Sequence, residues 1–286
     1  MTEQVIPTED SYASRKNGLG TRFSRRLKRD MPPEWVRILD LVFMLVRREL
    51  KVKYRGSFLG YIWSMLNPLL FMLVISVVFS FLVKGIPNYP LFVLSGILFW
   101  NLTSNSIAVG ALSIISGAPL IRKVKMPIWI FPVVPVLTFA SNMVFALVPY
   151  ILIFIFAGPG RVPELWLFPV VLVLFLLFLI GISLVVATLN VFFRDIGHVI
   201  EPVLVLLMYG TPIIYDRTNP ALPPKVRMLL GLNPFTHFVE AGRKTIFGGG
   251  HVTLEEMAIL VLCSAVSLAT GCLIYKRRKS KIIFAL

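Results

Sequence analysis

Side chains able to do chemistry are few in this chain of 286 residues, and they form no catalytic pattern. His198, His237 and His251 lack metal-ligand spacing, so no metal site is expected. Cys263 and Cys272 stand nine residues apart in one apolar run, on opposite sides of a helix, which argues against a mutual disulfide. Asp195 and Glu201 are too isolated to serve as an acid–base pair, and no Ser/His/Asp or Cys/His arrangement is present. A GxxxxGK[ST] phosphate loop is absent too, so energy for uphill work has to come from another subunit. The remaining chemistry is that of surfaces. Flat aromatic faces can stack on sugar rings, and clustered cations can meet phosphates.

Such residues need positioning elements, and composition says what these are. The chain is 57% hydrophobic and 15% charged with a mean hydropathy of +0.81. A soluble domain is about 45–50% apolar and about 25% charged. The apolar excess sits in runs of twenty or more uncharged residues, enough to cross about 30 Å of hydrocarbon. The expected fold is therefore an all-α integral membrane protein with six transmembrane helices. Their expected ranges are 61–83, 90–115, 128–156, 165–191, 199–215 and 257–275. Residues 1–30 read as a disordered basic arm, and the first sixty residues contain no recognisable signal peptide.

Residues 35–53 alternate a polar stripe (Arg37, Asp40, Arg47, Arg48, Lys51) with Trp35, Ile38, Leu39, Val42, Leu45, Val46 and Leu50. That pattern predicts an amphipathic helix lying in the membrane interface. Residues 217–250 are too long for a simple loop and too apolar for a disordered one. Two short helices are expected there, one over 226–232 and one over 235–244, delimited by Pro223-Pro224, Asn233-Pro234 and Gly248-Gly249-Gly250. They would re-enter the membrane and line a cavity, since irregular backbone is tolerated at that depth only when covered by protein or wet.

The net charge of +15 flanks the apolar runs, which fits anionic lipid rather than nucleic acid. With both termini in the cytoplasm, 22 of the 29 Lys and Arg fall inside. The middles of the expected spans hold no ionisable residue, so a proton or sodium relay is not expected. Trp63, Phe71, Phe79, Phe99, Trp100, Tyr209 and Tyr215, with Tyr61, are candidates for a sugar-tolerant channel wall. An interfacial aromatic belt or plain core packing would use the same residue types.

Four segments carry a resemblance. They are Tyr54-Arg-Gly-Ser-Phe-Leu-Gly-Tyr-Ile-Trp-Ser-Met-Leu-Asn-Pro-Leu-Leu, Leu189-Asn-Val-Phe-Phe-Arg-Asp-Ile, Tyr209-Gly-Thr-Pro-Ile-Ile-Tyr and Leu232-Asn-Pro-Phe-Thr-His-Phe-Val-Glu-Ala-Gly-Arg. In this order they resemble the membrane subunit of type-2 ABC polysaccharide exporters, the O-antigen (Wzm-like), teichoic acid and capsular permeases. The likeness runs from about residue 35 to the C-terminus. It implies a multi-pass protein of the bacterial inner membrane that works as a homodimer with two copies of a separate ATPase. ATP and Mg would bind that partner, and this chain would carry no cofactor. The cargo implied is a glycan on undecaprenyl diphosphate.

The resemblance also implies roles for particular residues. Pro119, Leu120, Ile121, Arg122, Lys123 and Lys125, in the link between spans two and three, match the position of a helix that couples to the ATPase. Lys51, Lys53 and Arg55 sit where a lipid diphosphate would approach. Asn233, Pro234, Phe235 and Phe238 fall in the family's extracytoplasmic gate. Arg194 and Asp195 read as a structural ion pair or a cap at the end of the fourth span. A drug, lipid or haem exporter of the same topology is the nearest alternative. A non-transport scaffold or a sugar-modifying membrane enzyme stands further off, the enzyme lacking paired carboxylates.

Overall fold

The computed structural model describes residues 33–53, 55–56, 60, 62–79, 86, 88–124, 126–157, 163–220, 222–248 and 250–286; of Ser64, Ile75, Ser76 and Phe79 it describes the backbone alone. The expected arm at 1–30 lies outside these residues. Every described element is helical: α1 Glu34–Lys53, α2 Ile62–Phe79, α3 Tyr89–Ser116, α4 Ala118–Ile121, α5 Ile130–Ala157, α6 Phe168–Phe192, α7 Ile196–Tyr209, α8 Pro224–Leu232, α9 Pro234–Ile246 and α10 Leu254–Ala285.

The chain divides into two compact units, 1–44 and 45–286. Residues 33–44, the described part of the first, begin α1 with Glu34 in its first turn, where a carboxylate meets the positive end of the helix dipole. Trp35, Leu39 and Phe43 on this stretch are exposed, as on a helix made to meet lipid.

In the second unit α3, α5, α6 and α10 are each long and apolar enough to cross a membrane, while α2 and α7 carry shorter apolar stretches, Met65–Val74 and Ile196–Tyr209. Prolines punctuate them. Pro90 starts α3 in its first turn, where no N–H is needed, and Pro212 follows the end of α7, which it cannot continue. At 14 residues α7 reaches about 21 Å. A hydrocarbon layer is about 30 Å thick, so residues 210–215 and the α8–α9 hairpin must supply the rest of the crossing. Helix α10 runs ten residues past the expected span end, through Lys276-Arg277-Arg278-Lys279. Lys and Arg are good helix formers, which lets the helix continue past the span.

Packing centres on α3 and α6. Val93, Phe99, Val171, Phe175 and Leu179 are fully buried among residues from α3, α5, α6, α9 and α10. Small residues let α6 and α10 cross closely: a Cβ at Gly271 would lie 2.5 Å from the Gly181 carbonyl oxygen. Ser264 and Ser267 of α10 donate to the Leu174 and Phe178 carbonyls of α6, both at 2.8 Å. Asn190 of α6 donates to the Ala111 carbonyl of α3 at 2.8 Å. Such bonds hold helices together where lipid gives little hydrophobic drive.

Candidate functional site

The hairpin end is built around a buried cation. Helix α9 starts at Asn233, whose side chain caps the Phe235 N–H at 3.0 Å, and Pro234 follows where no donor is wanted. The same Asn233 amide donates to the Gly210 carbonyl at 2.8 Å, tying the hairpin to the end of α7. One face of α9 carries Phe235, Phe238, Val239 and Gly242 into the core. Phe238 stacks on Phe178 at 4.7 Å and meets Phe175 at 5.0 Å, while Phe235 meets Phe178 edge-on at 5.2 Å.

Arg243 lies on this buried face, 7% exposed. Its guanidinium donates to the carbonyls of Pro212 at 2.8 Å and Ile213 at 3.0 Å, and to Ser95 Oγ at 3.3 Å. Its centre sits 3.7 Å from the middle of the Phe92 ring. Both carbonyls belong to the non-helical segment that follows α7, where no helix N–H reaches them, so the side chain supplies the missing donors. Gly96 makes room for it: a Cβ there would lie 2.7 Å from the guanidinium. Tyr89 Oη donates to the Ile214 carbonyl at 2.8 Å, adding a second tie to the same segment.

Further ion pairs pin the rim of this end. Arg217 grips Glu240 through two bonds of 2.8 Å, Lys244 meets Glu256 at 2.5 Å and His251 meets Glu164 at 2.5 Å. The bonds from His251 and from the Val252 N–H hold the Glu164 carboxyl below its usual pKa.

The opposite end, at the α3–α5 link, is more open. Helix α4 is a single turn with Pro119 in its start, as the two prolines at 119 and 127 suggest. Pro119, Arg122 and Lys123 are exposed, Leu120 and Ile121 half-buried; Lys125 lies outside the described residues. Arg122 donates to the main-chain oxygen of Leu286, and Ile282 of α10 packs with Ile114, Ile128, Ala187 and Val191, so the basic end of α10 lies beside the link.

Lys51, Lys53 and Arg55 are exposed, as a headgroup contact requires. The Lys53 ammonium stands 4.6 Å from the centre of the Phe139 ring, and desolvation there lowers its pKa. Thr138 Oγ1 donates to Glu49 at 3.2 Å, and burial raises the Glu49 carboxyl above its usual value. A crevice of about 660 Å³ separates residues 45–53 from α3, α4 and α5.

The aromatic candidates scatter. Phe99 and Trp100 are core residues: Phe99 packs on Phe175 at 5.7 Å, and Trp100 on Phe235 at 6.4 Å. Within this one chain they face no open channel, because the close-packed α3–α6–α9 centre takes up their rings. Trp63, Phe71 and Tyr209 are exposed, and the side chain of Phe79 lies outside the described residues. Tyr215 Oη donates to the Tyr209 carbonyl at 2.9 Å. Arg194 and Asp195 do not pair. Both are exposed in the turn before α7, where solvation of each charge competes well with an exposed ion pair.

Comparison with known proteins places this architecture among relatives. Residues 40–247 match the family model for the ABC-2 type transporter. The chain is 32% identical over 242 residues to the O-antigen export system permease protein RfbA of Myxococcus xanthus, covering 84% of this chain and 93% of that one. It is 29% identical over 246 residues to the RfbA protein of Klebsiella pneumoniae, covering 85% and 93%. Similarity to the capsule polysaccharide export inner-membrane protein CtrC of Neisseria meningitidis is 24% over 241 residues, covering 82% and 89%.

Proposed function

The chain belongs to the ABC-2 type transporter family, and we propose that it is the permease subunit of an exporter that carries a lipid-linked surface polysaccharide across the inner membrane. The observation that carries this reading is the near full-length likeness to O-antigen export permeases. O antigen is the first choice of cargo, with capsular polymer next. Two copies of the chain enclose the path, and two copies of a separate ATPase drive it.

Each end of the molecule then has a task. The positive-inside balance puts the termini and the α3–α5 link in the cytoplasm and the α8–α9 hairpin outside. Exposed Arg122 and Lys123 suit an acidic surface on the ATPase, and the half-buried edge of the link, Leu120 and Ile121, transmits its displacement to α3 and α5. Lys51, Lys53 and Arg55 suit the lipid diphosphate by charge. The hairpin, fixed to α7 and α3 through Asn233 and Arg243, is a stopper that moves with those helices and not as a loose flap. Opening therefore requires α3 and α7 to shift as a body.

Co-purification with the candidate ATPase, followed by an ATP hydrolysis assay with and without lipid-linked glycan, tests the reading. A stable complex whose hydrolysis responds to the glycan supports it. A chain that binds no ATPase contradicts it.

A further inference from the structure

Four asparagines converge inside the membrane unit. Asn67 of α2, Asn101 and Asn105 of α3 and Asn142 of α5 line one chamber of about 170 Å³, with Phe139 and Lys53 at its edge. Asn101 and Asn142 lie near the midpoints of helices long enough to span the membrane. A primary amide at that depth is costly without hydrogen-bond partners. Asn105 donates to the Asn101 carbonyl at 2.7 Å, but the side chains of Asn67 and Asn101 have no hydrogen bond to a described residue. Amides that merely join helices bond to a neighbouring helix, as Asn190 does to Ala111. Asn67 and Asn101 instead face space that a ligand can fill.

The chamber has an approach. Lys53, Asn105 and Phe139 line both it and the larger crevice, which reaches Gly117, Pro119 and Leu120 at the link. Arg48 and Glu49 offset each other in the crevice, and Lys53, which lines both spaces, brings a positive charge to their junction. The amides are neutral, and each offers two donors and one acceptor, a match for the hydroxyls of a sugar ring. The space would hold about five waters, or one such ring. Phe139 adds an apolar side chain to the lining. Neutral amides also hold without trapping, because a net hydrogen bond is worth only about 1 kcal/mol.

We propose that this chamber is a saccharide site, in which the four asparagines bind the sugar next to the phosphate of a lipid-linked glycan while Lys53 faces that phosphate. The inference rests on the export reading. It adds a loading site within a single protomer, reached from the link end.

The test uses the full chain with its ATPase in nanodiscs and a polyprenyl-diphosphate disaccharide carrying a diazirine on its first sugar. Photolabelling is expected in the peptides that contain residues 98–105 and 139–146. Unlabelled disaccharide lipid should compete, and phosphatidylglycerol or inorganic phosphate should not. Asn101→Leu with Asn142→Leu should cut labelling roughly tenfold, about the loss of one or two hydrogen bonds, while ATPase binding is retained. Should that variant fail to assemble, the wild-type labelling map decides alone. Equal competition by phosphatidylglycerol, unchanged labelling of the double variant, or labelling confined to other peptides each overturns the site. Labelling elsewhere leaves the export reading standing, whereas no labelling anywhere in an active complex counts against both.

Discussion

The hairpin end and the link end of this molecule treat positive charge in opposite ways. Arg243 is buried against three oxygens and an aromatic ring, and Arg217 and Lys244 are each paired with a glutamate. At the link, Arg122 and Lys123 stand exposed beside a wide crevice. The difference teaches where rigidity is needed. In the proposed reading the hairpin is a stopper in the membrane, which cannot leave backbone carbonyls bare, so its cation serves internal bonds. In the same reading the link is a docking face, whose cations stay available to another protein.

The largest effect should come from removing the buried cation. Arg243→Met strands the Pro212 and Ile213 carbonyls and should cost roughly 3 kcal/mol, read as a lower midpoint of thermal unfolding in detergent. Arg243→Lys should fall between wild type and Met, because one ammonium cannot span the same three oxygens. A midpoint unchanged in Arg243→Met would break the contrast between the ends.

Next comes Gly242→Val. A Cβ at Gly242 would sit 2.1 Å from the Phe99 ring, so the hairpin must lift or the ring must turn. The expected loss is about 2 kcal/mol, checked by the same melt.

Charge reversal at the link should leave the fold alone. Arg122→Glu with Lys123→Glu is expected to change stability by no more than about 0.5 kcal/mol, as for surface substitutions. Affinity for the ATPase, measured by titration, should fall about tenfold, some 1.4 kcal/mol. Equal affinity would show that the exposed cations serve the membrane surface and not the partner.

The smallest effect concerns pH at the outer rim. The pKa of Glu164 is depressed in the fold, chiefly by its bond from His251. A carboxyl depressed in this way adds stability above its unfolded value of 4.5 and loses it as pH falls through the lower folded value. Melts of wild type and Glu164→Gln should therefore differ near neutrality and converge in acid. Curves that run parallel through that window would remove the rim pair from the comparison.

Much of the fold was legible because hydrocarbon imposes simple lengths. The runs now seen as α3, α5 and α6 announce themselves by hydropathy, and Asn233-Pro234 marks the start of α9 by cap chemistry. Arg243 was not legible. Within the helix expected over 235–244, it sits on the apolar face, one helical turn from Val239. That offset, a cation in register with Phe235, Phe238 and Val239, was the available signal. The asparagine chamber was hidden for another reason. Its amides are far apart in sequence and join only when α2, α3 and α5 pack. The supposed Arg194–Asp195 pair shows the converse, since adjacency in sequence gave the two charges no reason to meet.

The most direct test of the export reading is the fate of the glycan in a deletion strain. Surface polysaccharide and its lipid-linked precursor should be quantified together, with and without the restored gene. Loss of the surface polymer, accumulation of the lipid-linked form inside the cell, and reversal of both on complementation are the predicted result. Surface polymer at the wild-type level, with no precursor building up, would contradict it.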